Sequence, residues 1–377
     1  MPDPRVQELA RLLVHYCIDV QPGDRVIVNS ALSAQPLAAE TYREVLLAGG
    51  QPLLIWADEQ FEEILLKDGI REQISYVHEP LRQAYEQYEA IIGLRGATNT
   101  RALSGIDPER EQWRSMGAHP LRQTVMHRAA KGEMRWVGTL FPTAAQAQEA
   151  DMSLSDYEDF VYRTCFIDQP DAAACWRAMA EQQQVLVDWL RGKRQVRVEG
   201  PNADLTLSIY GRTFVNSAGR NNMPSGEIFT SPVETSVEGW VRFTYPAIYN
   251  GREVEGIELR FAEGKVVEAR AEKNEAFLQA VLDTDPGARY LGEFAIGTND
   301  GINRFTKSIL FDEKIGGTIH MAVGAGYPQT GSKNESAVHW DMICDMRDGG
   351  RIWVDGELFY DSGLFTILAE LLAAGHA

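Results

Sequence analysis

The residues best suited to chemistry lie in Thr318-Ile-His-Met-Ala-Val and Ala337-Val-His-Trp-Asp-Met-Ile, which set His320, His339 and Asp341 among residues that read as buried strand. A β-strand sends alternate side chains to one face, so His339 and Asp341 would point together while Val338, Trp340 and Met342 point to the other side. Imidazole nitrogen and carboxylate oxygen both suit first-row divalent metals, and a strand holds their spacing better than a loop. A metal site is therefore the first chemistry to consider. With seven histidines in the chain, a His-x-Asp triplet also has a plainer reading, in which Asp341 only orients its neighbour.

Two further acids stand just after a glycine in an apolar context. Glu227 lies in Asn222-Met-Pro-Ser-Gly-Glu-Ile-Phe-Thr-Ser-Pro and Glu293 in Tyr290-Leu-Gly-Glu-Phe-Ala-Ile-Gly-Thr-Asn. Partial burial of either carboxylate is costly without a cation, or without capping by backbone N–H groups at a bulge. Other site types find no support. Gly324-Ala-Gly-Tyr-Pro-Gln-Thr-Gly has its third glycine too late for a dinucleotide loop, and there is neither a Gly-x-Ser-x-Gly elbow nor a P-loop. His15 reads as a packing residue on the first helix, and His78, His119 and His127 as structural or solvated.

The elements that must carry these residues fall into two styles. Up to about residue 192, helical and strand patterns alternate. Strands are expected at Arg25-Val-Ile-Val, Pro52-Leu-Leu-Ile-Trp, Tyr88-Glu-Ala-Ile-Ile-Gly-Leu and Met134-Arg-Trp-Val-Gly, with a helix over about 36–47 ending at Gly49-Gly50 and a long amphipathic helix over about 171–191. That is βαβ logic and predicts a mostly parallel sheet with flanking helices. Beyond it the period becomes two, with strands at 195–199, 204–208 and through 237–271, and hairpin turns at Asn250-Gly251 and Glu263-Gly264. The fold class is accordingly α/β: an N-terminal domain over 1–192, and a β-rich α+β domain over 193–377 that carries the metal site and keeps helices near 273–283 and 364–373.

Composition narrows the partners. The 377 residues carry 36 basic and 54 acidic side chains, a formal charge of -18, which disfavours nucleic acid and anionic membrane surfaces and favours cationic or zwitterionic ligands. No run of 18 apolar residues occurs, and the start Met-Pro-Asp-Pro-Arg-Val-Gln-Glu lacks the features of a signal peptide. Cys17, Cys165, Cys175 and Cys344 are widely spaced, as expected of reduced thiols in a cytoplasmic protein rather than a disulfide framework.

Taken together, Met223-Pro-Ser-Gly-Glu-Ile-Phe-Thr-Ser-Pro, Leu291-Gly-Glu-Phe-Ala, Ile319-His-Met-Ala-Val-Gly-Ala-Gly-Tyr-Pro and Asn334-Glu-Ser-Ala-Val-His-Trp-Asp-Met-Ile resemble the M29 metallo-aminopeptidases of the aminopeptidase T and S type. Val20-Gln-Pro-Gly-Asp and Asn99-Thr-Arg-Ala-Leu-Ser-Gly-Ile-Asp-Pro extend the resemblance over nearly the whole chain. It implies that Glu227, Glu293, His320, His339 and Asp341 are metal ligands, that Tyr327 stands at the metal site, and that two divalent ions (zinc, cobalt or manganese) are bound in a homodimer. A peptide with a free N-terminus is then the expected substrate, attacked by a water that a metal pair about 3.5–4 Å apart would bring toward a pKa of roughly 7. Tyr327 would donate to the oxyanion or else simply pack before Pro328, and Glu293 or Glu227 would move the proton. The same ligands would also serve a hydrolase of another amide or ester, or persist in a non-catalytic binding subunit. The tract from Tyr327 to His339 is short for that family, which bears on substrate access.

Overall fold

The computed structural model describes residues 3–375. The chain divides into two compact units, one of residues 1–175 with 219–224, the other of residues 176–218 with 225–377. The change of unit falls inside the helix Ala172–Leu190, whereas the sequence places a domain limit at 192. In addition, the short strand Asn222–Met223 returns to the first unit.

In the first unit, five parallel strands run in the spatial order Gln51–Ala57, Arg25–Ala31, Ala90–Arg95, Arg135–Leu140 and Asn222–Met223. The helix Gln35–Leu47 turns its Leu37, Ala38, Thr41 and Val45 inward and ends at Ala48, before the glycine pair. The first helix is α-helical over Pro4–Arg11 and continues as a wider helix over Leu12–Cys17. His15 does not pack there: its side chain is half exposed and its Nε2 lies 3.1 Å from Glu44 Oε2. One turn of wider helix shifts the angular phase, so 3.6-residue spacing assigns His15 to the wrong face. His78, His119 and His127 are exposed.

The second unit holds two larger antiparallel sheets. One has eight strands, in the order Lys265–Arg270, Glu258–Ala262, Glu238–Arg242, Ala203–Ser208, Gln195–Gly200, Arg351–Val354, Glu357–Asp361 and Leu364–Phe365. Its hairpin at Glu263-Gly264 and the separate hairpin at Asn250-Gly251 both have positive φ at each turn residue, the backbone that such tight turns require. The other sheet has five strands, in the order His339–Asp345, Thr318–Gly324, Leu291–Gly297, Glu227–Thr230 and Val215–Ser217. Side chains of both sheets, with Leu186 and Leu190 from the long helix and Leu278 and Leu282 from the helix Glu275–Leu282, form one hydrophobic core. The strands Leu291–Gly297 and Thr318–Gly324 are buried at every position. Ionisable residues within them must therefore find their partners inside the protein.

Candidate metal centre

The register of the five-stranded sheet gathers Glu227, Glu293, His320, His339 and Asp341 on one face. Glu293 stands opposite Ala322, which stands opposite Asp341; His320 faces Ala295, His339 faces Gly324 and Glu227 faces Gly297. Directly paired residues of an antiparallel sheet share a face. Each of the five thus meets an alanine or glycine on one neighbouring strand, while His320 also faces Ile343 and Glu227 also faces Ser217. The opposite face carries Phe294, Ile296, Ile319, Met321, Val323, Trp340 and Met342 into the core.

Two glycines make the placement possible. Gly226, with φ of 115°, turns the chain into the Glu227 strand so close to Asn299 that a Cβ there would come within 2.8 Å of the Asn299 Cβ. Gly292 lies at a register shift beside Glu293, where a Cβ would meet the Ala325 carbonyl at 2.2 Å. Behind Glu227, the buried Gln183 amide donates to the Glu227 carbonyl (3.0 Å) and accepts from Thr298 Oγ1 (2.7 Å). Asn299 joins the turn before Glu227 to the next segment, donating from Nδ2 to Ser225 O (2.9 Å) and from its backbone to Lys314 O (3.1 Å).

The side chains converge closely. His320 Nε2 lies 3.4 Å from Glu227 Oε2 and 3.6 Å from Glu293 Oε1, while His339 Nε2 lies 3.4 Å from Glu293 Oε2 and 3.5 Å from Asp341 Oδ2. Three sets of side chains bring their potential ligand atoms within 4.8 Å of one another: Glu227, Glu293 and His320; Glu293, His339 and Asp341; and Glu313, His320 and Asp341. His339 Nδ1 donates to the Ala325 carbonyl at 2.8 Å. That bond orients the ring and leaves Nε2 for the cluster. Tyr327 packs edge-on against His339 and tilted against Phe229, its ring centroid 5.2 Å from the first and 5.4 Å from the second.

Sequence reasoning missed two members, Glu313 and Lys314. Both follow the short helix Ile309–Asp312, and Lys314 is fully buried with its Nζ hydrogen-bonded to Glu313 Oε1 and 3.8 Å from Glu227 Oε1. The available signal was three consecutive charges, Asp312-Glu-Lys, between Phe311 and Ile315.

The electrostatics ask for positive charge. Burial pushes the Glu227 and Asp341 carboxyls well above the ordinary carboxylate range, while Glu293 is drawn below it, against burial, by the two imidazoles it bonds. Burial opposes charge on His320 and His339 too, yet the carboxylates around them outweigh it and push both upward. Lys314 is likewise pulled down by burial but held above its usual value by Glu227 and Glu313. His320 Nδ1 and Asp341 Oδ1 are buried without a hydrogen-bond partner among the described residues. An unpaired Asp341 oxygen within a surplus of carboxylate fits a divalent cation, and the mix of carboxylate oxygen with imidazole nitrogen suits such ions chemically.

Fold and site together define an α/β protein with a carboxylate–imidazole centre able to hold divalent metal. The chain belongs to the thermophilic metalloproteases of family M29, whose profile matches residues 3–363. It is thus a hydrolase of peptide bonds that works with a bound metal. Aminopeptidase 2 of Geobacillus stearothermophilus is 28% identical over 92% of this chain and 93% of its own length. Aminopeptidase T of Thermus thermophilus is 27% identical over 96% of each chain, and aminopeptidase PepS of Streptococcus thermophilus is 27% identical over 90% of this chain and 91% of its own. The structure of wild-type AmpT from Thermus thermophilus shares the fold with a TM-score of 0.84 at 22% identity, over 96% of this chain and 99% of that one. A 2,5-dihydroxypyridine dioxygenase from Pseudomonas putida KT2440 also shares it, with a TM-score of 0.61 at 12% identity over 97% and 98% of the two chains. Fold alone does not select the chemistry here; the site must.

Proposed function

We propose that this chain is an aminopeptidase that removes the N-terminal residue of peptides at two divalent ions held by Glu227, Glu293, His320, His339 and Asp341, with Glu313 added to the set. The observation that carries the reading is the position of Glu293, whose two oxygens address two different imidazoles, His320 and His339. A carboxylate so placed would help hold both ions. When bound, such a pair polarises the scissile carbonyl and lowers the pKa of a water at the site.

The chain's own groups supply the rest. Burial and the nearby carboxylates hold the Tyr327 phenol well above its ordinary pKa, so it is a protonated donor at neutral pH. Its O–H would donate to the oxyanion that develops on the carbonyl. The His339 Nδ1–H bond to Ala325 keeps that imidazole aimed, and Gln183 keeps the Glu227 strand in register. The substrate's free α-amino group would coordinate at the centre or meet one of its carboxylates, which sets the distance to the first peptide bond and so confines cleavage to it. The names of the matched relatives, aminopeptidases 2, T and PepS, support the same reading. Zinc, cobalt or manganese all suit the ligand set, and a homodimer in the cytoplasm belongs to the proposal.

Leucyl-p-nitroanilide is expected to be hydrolysed, and its N-acetylated form at least about 100-fold more slowly, since the blocked amine loses its charge and its partners, equivalent to about 2.7 kcal/mol. Equal rates for the two would overturn the aminopeptidase reading and favour a hydrolase of other amides. Replacing Tyr327 by Phe is expected to lower kcat by about 100-fold while KM moves by less than about threefold, the pattern of an interaction made in the transition state. Unchanged kcat would leave Tyr327 as a packing residue against Phe229 and His339.

A further inference from the structure

Lys314 is the unusual member of the centre. Its side chain is completely buried, and its charge is matched by Glu313 and Glu227, two groups that also belong to the sets able to hold metal. A buried ammonium costs several kcal/mol unless paired, and an aliphatic side chain would fill the same space without that cost. Its two ion-pair partners, Glu227 and Glu313, occur only in sets that include His320, and no ion pair joins it to Glu293 or His339 among the described residues, although the charge of the shared Asp341 also reaches it.

We infer that Lys314 makes the two metal positions unequal: the position of Glu293, His339 and Asp341 fills first, and the position of His320 with Glu227 and Glu313 binds its ion more weakly and exchanges it. This rests on the two-ion reading above. The physical reason is direct. A fixed positive charge next to a second cation repels it through a partly desolvated medium, where Coulomb interactions are only weakly screened. The ammonium also occupies a Glu313 lone pair that the ion would otherwise use, since Lys314 donates to Glu313 Oε1. Once the imidazoles have given up their protons to bind metal, four carboxylates (Glu227, Glu293, Glu313 and Asp341) against one ammonium leave a net charge of about -3. One divalent ion relieves most of it, so the second enters a centre already close to neutral.

The test is calorimetric titration of chelator-stripped full-length protein with Co2+, with metal per chain measured by elemental analysis. Wild type is expected to show two steps, the second at least about tenfold weaker, or about 1.4 kcal/mol. His339→Ala should lose the tight step, and His320→Ala the weak one. Lys314→Met should strengthen the second step by at least about tenfold and move the first by less than about threefold, while Lys314→Arg, which keeps the charge, should retain the gap. Two equal steps in wild type would overturn the inference even if Lys314→Met does not fold, and so would an unchanged gap in folded Lys314→Met. A protein that takes up no Co2+ would instead refute the metal reading of the site itself.

Discussion

Stripped of divalent ions by chelation, the protein is expected to lose at least about a thousandfold in peptidase rate, or about 4 kcal/mol of barrier, and to regain it when zinc, cobalt or manganese is added back. The magnitude follows from the inventory of the site. Beside the carboxylates, the proton donors at the stripped centre are Tyr327, the two imidazoles and the buried Lys314, but the imidazoles are held by Glu227, Glu293 and Asp341 and Lys314 by Glu313 and Glu227, which leaves Tyr327 for a peptide carbonyl. One phenol contributes a few kcal/mol to an oxyanion at most, well short of the 8–23 kcal/mol that peptidase-scale acceleration spans. Circular dichroism and thermal unfolding, run on the same samples, separate loss of metal from loss of fold. Melting is expected to fall on stripping, because an ion that binds only the native state stabilises it by mass action. Full activity after stripping, with metal content verified near zero, would sink the mechanism.

The second large effect is expected at His339. Its replacement by Ala should lower kcat/KM by about 100-fold or more, equivalent to at least about 2.7 kcal/mol, and reduce the metal retained per chain. The metal-free variant should remain folded, its melting temperature within about 2–4 °C of the metal-free parent, because the net stability at stake is the bond to Ala325, worth about 1 kcal/mol. The neighbouring position supplies the contrast. Trp340 points to the other face, is 2% exposed, and packs against Tyr249 and Phe277 with ring centroids 5.2 and 6.2 Å away. Trp340→Ala should cost about 3–5 kcal/mol of stability. Two adjacent residues on one strand thus separate function from folding, and a His339→Ala protein that unfolds, or that keeps full metal and activity, would contradict the assignment of faces.

Much of this was legible in the chain. Alternation in Ala337-Val-His-Trp-Asp-Met-Ile told which residues share a face, since strand periodicity is a local property of the backbone. The alternating helix and strand patterns of the first half announced the parallel sheet for the same reason: amphipathic period is written in consecutive residues. The hairpins at Asn250-Gly251 and Glu263-Gly264 were visible because positive φ selects those residue types locally. His15 was misread because a single wider helical turn, which no spacing rule anticipates, rotates everything after it.

Convergence belongs to the tertiary structure. That Glu227, Glu293, His320 and Asp341 stand within a few ångströms of one another depends on the order of four strands and on their register, including the shift beside Gly292, and neither is encoded by local propensity. Glu313 and Lys314 escaped sequence reasoning because they arrive on a loop that Asn299 ties down from fifteen residues away, through hydrogen bonds to Ser225 and Lys314. Local sequence determined which residues could ligate and which way each strand would turn them, because those are matters of side-chain type and backbone period. Only long-range strand pairing decided which of them share one cluster, and only the loop that Asn299 anchors put a buried ammonium beside it.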